Sequence, residues 1–213
     1  MTMAMPTTTI DGAALYRLLA WLSPAYPIGA YSYSHGLEMA VEEGRVRDRA
    51  GLVAYIATVL RAGAGRVDGA LLAAAHRAAA AGEDAALDGI ALLAAAWRGT
   101  AETALETMQQ GTAFVGVTHS AWPEPRFAAF AARHPRRIAH PVAFGAAAAW
   151  HGIPLRPALA GWLAGFAANL HPVVEMAADA ALVAELDRIG SAAPMLDLLS
   201  MRHETQYTRL FRS

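Results

Sequence analysis

The chain has 213 residues, 55% of them hydrophobic, with 17 basic residues against 18 acidic ones and no cysteine. That balance leaves no electrostatic footprint for nucleic acid or an anionic membrane, and the missing thiols exclude disulfides, zinc–thiolate sites and a cysteine nucleophile. Every basic residue is arginine, so a Walker A phosphate loop, a Schiff base and a lysine general base are excluded too, and any nucleotide involved must be bound by another chain.

Alanine fills about a quarter of the positions, apolar residues recur at helical spacing, and no strand-length run alternates apolar with polar residues. The expected fold is all-α, a single-domain helical bundle of about ten helices spanning 1–213. The opening "MTMAMPTTTI" lacks the charged and apolar blocks of a signal peptide, which predicts a cytoplasmic protein. Helices are then expected at 11–22, 35–43, 48–63, 68–81, 84–97 and 100–118, with Asp48, Asp84 and Thr100 as N-caps. After "WPEP" (122–125) a short helix is expected near 126–132. "HPRR" (134–137) separates it from 140–151, and "GIPLRP" (152–157) precedes 156–169, with Pro157 in the first turn. Helices at 173–188 and 195–209 complete the chain. "IALLAAAW" (90–97) and "ALAGWLAGFAANL" (158–170) are apolar nearly all round and are assigned to the bundle centre; the latter is too short to cross a bilayer, which needs ~20 residues. The mean hydropathy of +0.28 calls for a small-residue core or burial against partner chains.

One stretch breaks the alanine-leucine pattern: "SPAYPIGAYSYSHGLE" (23–38). Pro24 and Pro27 fix φ, Gly29 permits backbone angles that other residues resist, and Ser34 is placed to cap a helix beginning near His35. Glu38, in that helix's first turn, suits the positive end of its dipole, and "GLEMAVEEG" ends at Gly44. A serine hydrolase would need Gly-x-Ser-x-Gly, which is absent, and adjacent Ser34 and His35 cannot aim their side chains at one another on a helix. Eight histidines occur, but none forms a His-x-x-x-His pair or a His-Glu-x-x-His run. The pairs His171 with Glu175, His203 with Glu204, and Glu42 with Glu43 read as surface or helix-end contacts. No catalytic residue, metal ligand or cofactor is assigned.

"LLAWLSPAYPIGAYSYSHGLEMAVEEGRV" (18–46) resembles the amino-terminal signature of the urease accessory protein family UreF, Ser-Pro-x-x-Pro-x-Gly-x-x-x-x-Ser-x-Gly-Leu-Glu. Ser23, Pro24, Pro27, Gly29, Ser34, Gly36, Leu37 and Glu38 fill that pattern. "ETALETMQQGTAFV" (102–115) is similar to the family's Glu-rich segment leading into Gln-Gly, here Gln110 and Gly111, and "HETQYTRLFRS" (203–213) to its carboxy-terminal tail. The resemblance spans nearly the whole chain. It implies an all-α, non-enzymatic helper that forms a homodimer and bridges the nickel-carrying GTPase UreG to the scaffold protein UreD, also called UreH, and so to apo-urease. Regulation of the GTPase is a further expectation.

The resemblance also implies that this stretch is a structured loop and partner surface; Tyr31, Tyr33, His35 and Glu38 are candidates for that surface, with a structural role as the open alternative and the tyrosines divided between core and surface as another. The tail, with Tyr207, Leu210 and Phe211 among Arg202, Arg209 and Arg212, has the aromatic and arginine mixture of interface hot spots and is expected to engage the scaffold. One stretch departs from the family. After Asn169–Leu170 its members continue with an arginine and Pro-Leu-Gly-Gln, whereas this chain reads "NLHPVVEMAADAALVAEL" and is several residues shorter. Two other readings stay open: an all-α enzyme with a polar site around 31–38, and a nickel store.

Overall fold

The computed structural model describes residues 9–29, 36–97, 99–166 and 194–203. Ten helices and no strand occur among them. They are α1 (Gly12–Leu22), α2 (Leu37–Glu42), α3 (Arg49–Arg61), α4 (Ala64–Ala81) and α5 (Asp84–Ala96), then α6 (Ala101–Ala121), α7 (Pro125–Arg133), α8 (His140–Trp150), α9 (Leu155–Phe166) and α10 (Pro194–His203). The helix expected at 173–188, and the end of that at 195–209, lie outside the described residues.

Short polar side chains start several helices by accepting the free N–H groups of the first turn. Asp11 accepts from Ala14 N at 2.8 Å, Asp48 from Gly51 N at 2.8 Å, and Thr100 from Thr103 N at 3.1 Å. Two expected starts shift. Asp84 is the first residue inside α5 and Glu83 holds the cap position, where the acid still faces the positive helix end. α4 begins at Ala64, not 68, because the Ala62 and Gly63 amides both close on the Thr58 carbonyl and the chain turns at once into the next helix. α6 runs three residues past 118, to Ala121.

The centre of the molecule is α8, in which His140 through Ala148 are all buried. Its residues are small or apolar on every side, so neighbours approach closely on all of them. Gly145 lies on the Leu72 carbonyl of α4, where a Cβ would overlap backbone. Around α8 pack α4, α6, α7 and α9, with α1 against α9. The assignment of 90–97 to the centre is corrected: α5 turns Leu87, Ile90, Ala91 and Ala94 inward but leaves Leu92 56% and Leu93 38% exposed. α5 packs chiefly on α4 at the edge of the bundle, so only one of its faces is covered. In α9, Ala158, Leu159 and Leu163 are buried. A second, smaller cluster joins Leu199 of α10 to Met39, Ala40 and Val46, with Leu37, Leu52 and Tyr55 packed on it.

Candidate partner-docking surface

The signature stretch leaves α1 at Ser23 and turns within a few residues. Tyr26 N donates to the Ser23 carbonyl at 2.9 Å, and Ile28 N to the Tyr26 carbonyl at 2.8 Å; the Ser23 hydroxyl accepts from Ala25 N at 3.2 Å. Pro24, Ala25 and Pro27 are exposed, whereas Tyr26 and Ile28 are half-buried against the main core. Gly29 has φ +76° and Gly36 φ +75°, the left-handed region that a Cβ disfavours. Gly36, buried, is the N-cap of α2 and supplies no side chain to it. α2 thus begins at Leu37, after the left-handed turn at Gly36 and two residues past the start expected near His35; the expected Ser34 cap falls outside the described residues. Glu38 is half-buried in its first turn. Tyr31, Tyr33, Ser34 and His35 lie outside the described residues.

The second motif sits deeper. Gln110 is 7% exposed and its amide donates to the Glu106 carboxylate at 3.1 Å. Gly111 abuts the backbone of Ile138, Ala139 and His140 where the chain enters α8; a Cβ would overlap the Ile138 carbonyl oxygen. Beside it, the Thr107 hydroxyl accepts from His140 N at 3.3 Å. One face of α6 thus carries Gly111, Phe114 and Thr118 at helical spacing. Phe114, fully buried, meets Trp21, Tyr26, His140 and Phe144 at ring separations of 5.3 to 5.9 Å. Thr118 holds the Tyr26 phenol at 2.8 Å. The two motifs, about 80 residues apart in sequence, meet at this face.

Tyr26, Phe114 and Thr118 are absent from the residues singled out by sequence. The available signal was a large aromatic side chain within a proline-marked turn, where burying the ring yields more than burying the alanine or prolines around it. The tail residues Tyr207, Arg209, Leu210, Phe211 and Arg212 lie outside the described residues, and His203 closes α10.

Two histidines inside the bundle are shifted by burial. His140 lies among Phe114, Phe144 and Trp162, and its burial pulls its pKa down to about 4. His76, which meets the Ile153 carbonyl through Nε2 at 2.9 Å, is also lowered by burial. On the surface, Asp88 of α5 meets Arg133 Nε at 3.0 Å and His134 Nε2 at 2.7 Å. Desolvation opposes ionisation of Asp88, but the hydrogen bonds and charges of His134 and Arg133 outweigh it and hold the carboxyl below its ordinary range. Among the described residues no three His, Asp or Glu side chains are grouped to hold a metal ion, and no helix is long and apolar enough to cross a membrane.

The family model UreF matches residues 46–174. The chain is 56% identical over 230 aligned residues to the urease accessory protein UreF of Granulibacter bethesdensis, covering 98% of each chain. It is 48% identical to that of Methylorubrum populi, over 92% of this chain and 98% of the relative, and 44% identical to that of Rhodopseudomonas palustris strain HaA2, over 99% and 98%. The 230 aligned positions exceed the 213 residues present, so the first relative has residues without a counterpart here. A family match over more than half the chain, with such relatives over nearly all of it, shows that the protein belongs to the UreF family of urease accessory proteins.

Proposed function

We propose that this chain is a non-catalytic urease-maturation factor that works in the cytoplasm as a homodimer. It bridges the GTPase UreG to the UreD/UreH scaffold and through it to apo-urease, with nickel as cargo, and it regulates GTP hydrolysis in that assembly. The observation that carries the reading is the 56% identity, over nearly the full chain, to a protein named as a urease accessory protein. The uncharged edge formed by Pro24, Ala25 and Pro27 supports a docking role for the signature loop, as does the family tail, with its aromatic and arginine anchors.

Light scattering on size-exclusion chromatography tests the bridge. The chain should elute as a dimer, bind the scaffold, and then recruit UreG in the presence of GTP; a chain that stays alone with both partners present overturns it. Deleting 203–213 should leave the helical far-UV signal intact and abolish scaffold binding, whereas undiminished binding removes the tail from the interface. Alanine at Tyr31, Tyr33, His35 or Glu38 should weaken complex formation with little change in Tm. A drop in Tm with binding per folded molecule unchanged would make those side chains structural.

A further inference from the structure

Two helices from opposite ends of the chain share one small apolar cluster. Leu37, Met39 and Ala40 of α2, with Val46 just beyond it, pack with Leu199 of α10 against Leu52 and Tyr55 of α3. No described residue of α2 or α10 belongs to the main core, and among the described helices α2 packs chiefly on α10. We propose that α2 and α10 form one cooperative unit that undocks as a pair while the main bundle stays folded. The last helix thereby controls how the signature residues Gly36, Leu37 and Glu38 are held.

α2 cannot stand by itself. It has six residues, and its N-cap, Gly36, offers no side chain to the free N–H groups of the first turn; isolated helices shorter than about 12–15 residues are marginal in water. The Arg45 and Val46 amides both donate to the Ala40 carbonyl, at 2.8 and 3.2 Å, so the turn after α2 folds with it and brings Val46 to the cluster. Cover for that cluster comes from Leu199, which is buried. α10 is no better anchored. Met195, Leu198 and Met201 are exposed on its outer side, and its described ties to the bundle are Leu196 lying over Gly63 and a contact with α6. Each helix therefore loses most of its apolar cover when the other leaves.

The wall behind them stays. Leu52 and Tyr55 belong to α3, which is fixed to the main core through Ile56 and Leu60. α4 and α8, by contrast, are buried along most of their length and meet with Gly145 on the Leu72 carbonyl. Few buried apolar contacts set a low free energy of local opening, and a continuous core sets a high one.

Hydrogen exchange of the full-length chain, followed by mass spectrometry in rising sub-denaturing urea, reads the opening of each helix. Amides of 37–46 and 194–203 should open with one common urea dependence, weaker than that of α4 and α8. Leu198→Gly, on the exposed side of α10 and outside the cluster, should speed exchange in α10 and α2 alike by roughly four-fold, the helix-propensity difference between leucine and glycine. Leu87→Ala, in the main core, should speed α4 and α8 by about thirty-fold or more and leave 37–46 and 194–203 unchanged, because the bundle stays folded when the pair opens. If Leu198→Gly acts on α10 alone, the two helices open independently and the unit is overturned. If Leu87→Ala speeds α2 and α10 as much as α4 and α8, the cluster opens only with the whole bundle, which overturns it as well. Should a variant fail to fold, the parent's urea series decides: separate dependences for α2 and α10, or one shared with α4 and α8, overturn the unit.

Discussion

Gln110 and Gly111 are neighbours in sequence, but only the glycine is irreplaceable on steric grounds. The Gln110 side chain pairs with Glu106 within α6, whereas Gly111 gives up a side chain so that the segment entering α8 can lie on the helix. Gly111→Ala would drive a methyl group into the Ile138 carbonyl oxygen, and backbone on both sides leaves nothing soft to yield. The expected cost is about 3 kcal/mol or more, the upper range for overpacking. Chemical denaturation with an unchanged m-value checks this, and a loss under ~1 kcal/mol would mean that the α6–α8 contact relaxes freely. The motif was legible in sequence as Gln-Gly, but its role was not: a glycine's use as a contact depends on a strand of chain some 27 residues later, which no local pattern reports. Tyr26 was missed for the same reason, since its partner Thr118 is set by the packing of α6.

At the scale of elements, helical periodicity located most of the described helices, because alanine-rich amphipathic segments with Asp or Thr at their starts have few alternatives. Which helix is central was misread. α5 and α8 are both apolar nearly all round, and composition cannot rank them; α8 wins because its glycine and alanines admit backbone from several sides, while α5 is limited to one covered face. Substitutions separate the two faces of α5. Leu92→Gln should change stability by no more than about 0.5 kcal/mol, as surface changes do. Leu87→Ala, on the fully buried face, should cost about 2–5 kcal/mol. Equal, large losses at both positions in urea unfolding would return α5 to the centre. The α10 contact was also hidden from sequence: Leu199 packs on α2 and its surroundings, which lie more than 150 residues earlier.

For the molecule as a whole, the histidines decide how stability responds to acid. His140 is held neutral in an aromatic pocket with its pKa lowered by burial to about 4, and burial lowers His76 and His151 as well, with nearby arginine charge acting in the same direction. A lowered folded-state value means that the unfolded chain binds the proton more readily. For His140, stability is therefore complete above the ordinary value of 6.5 and declines as pH falls from there to about 4. The slope in that window is about 1.4 kcal/mol per pH unit, so this residue alone removes roughly 2 kcal/mol between pH 7 and 5. Asp88, held low by His134 and Arg133, contributes stability above its unfolded value and gives it up only in stronger acid, so the histidine loss comes first. Urea unfolding at pH 7 and pH 5 should show the loss in the parent chain. His140→Gln should start less stable, because glutamine cannot fill an imidazole's place among Phe114, Phe144 and Trp162, yet its profile should be flatter by roughly 2 kcal/mol over the same interval. Parallel profiles would transfer the acid response in this interval from His140 to the other histidines held neutral by burial, His76 and His151.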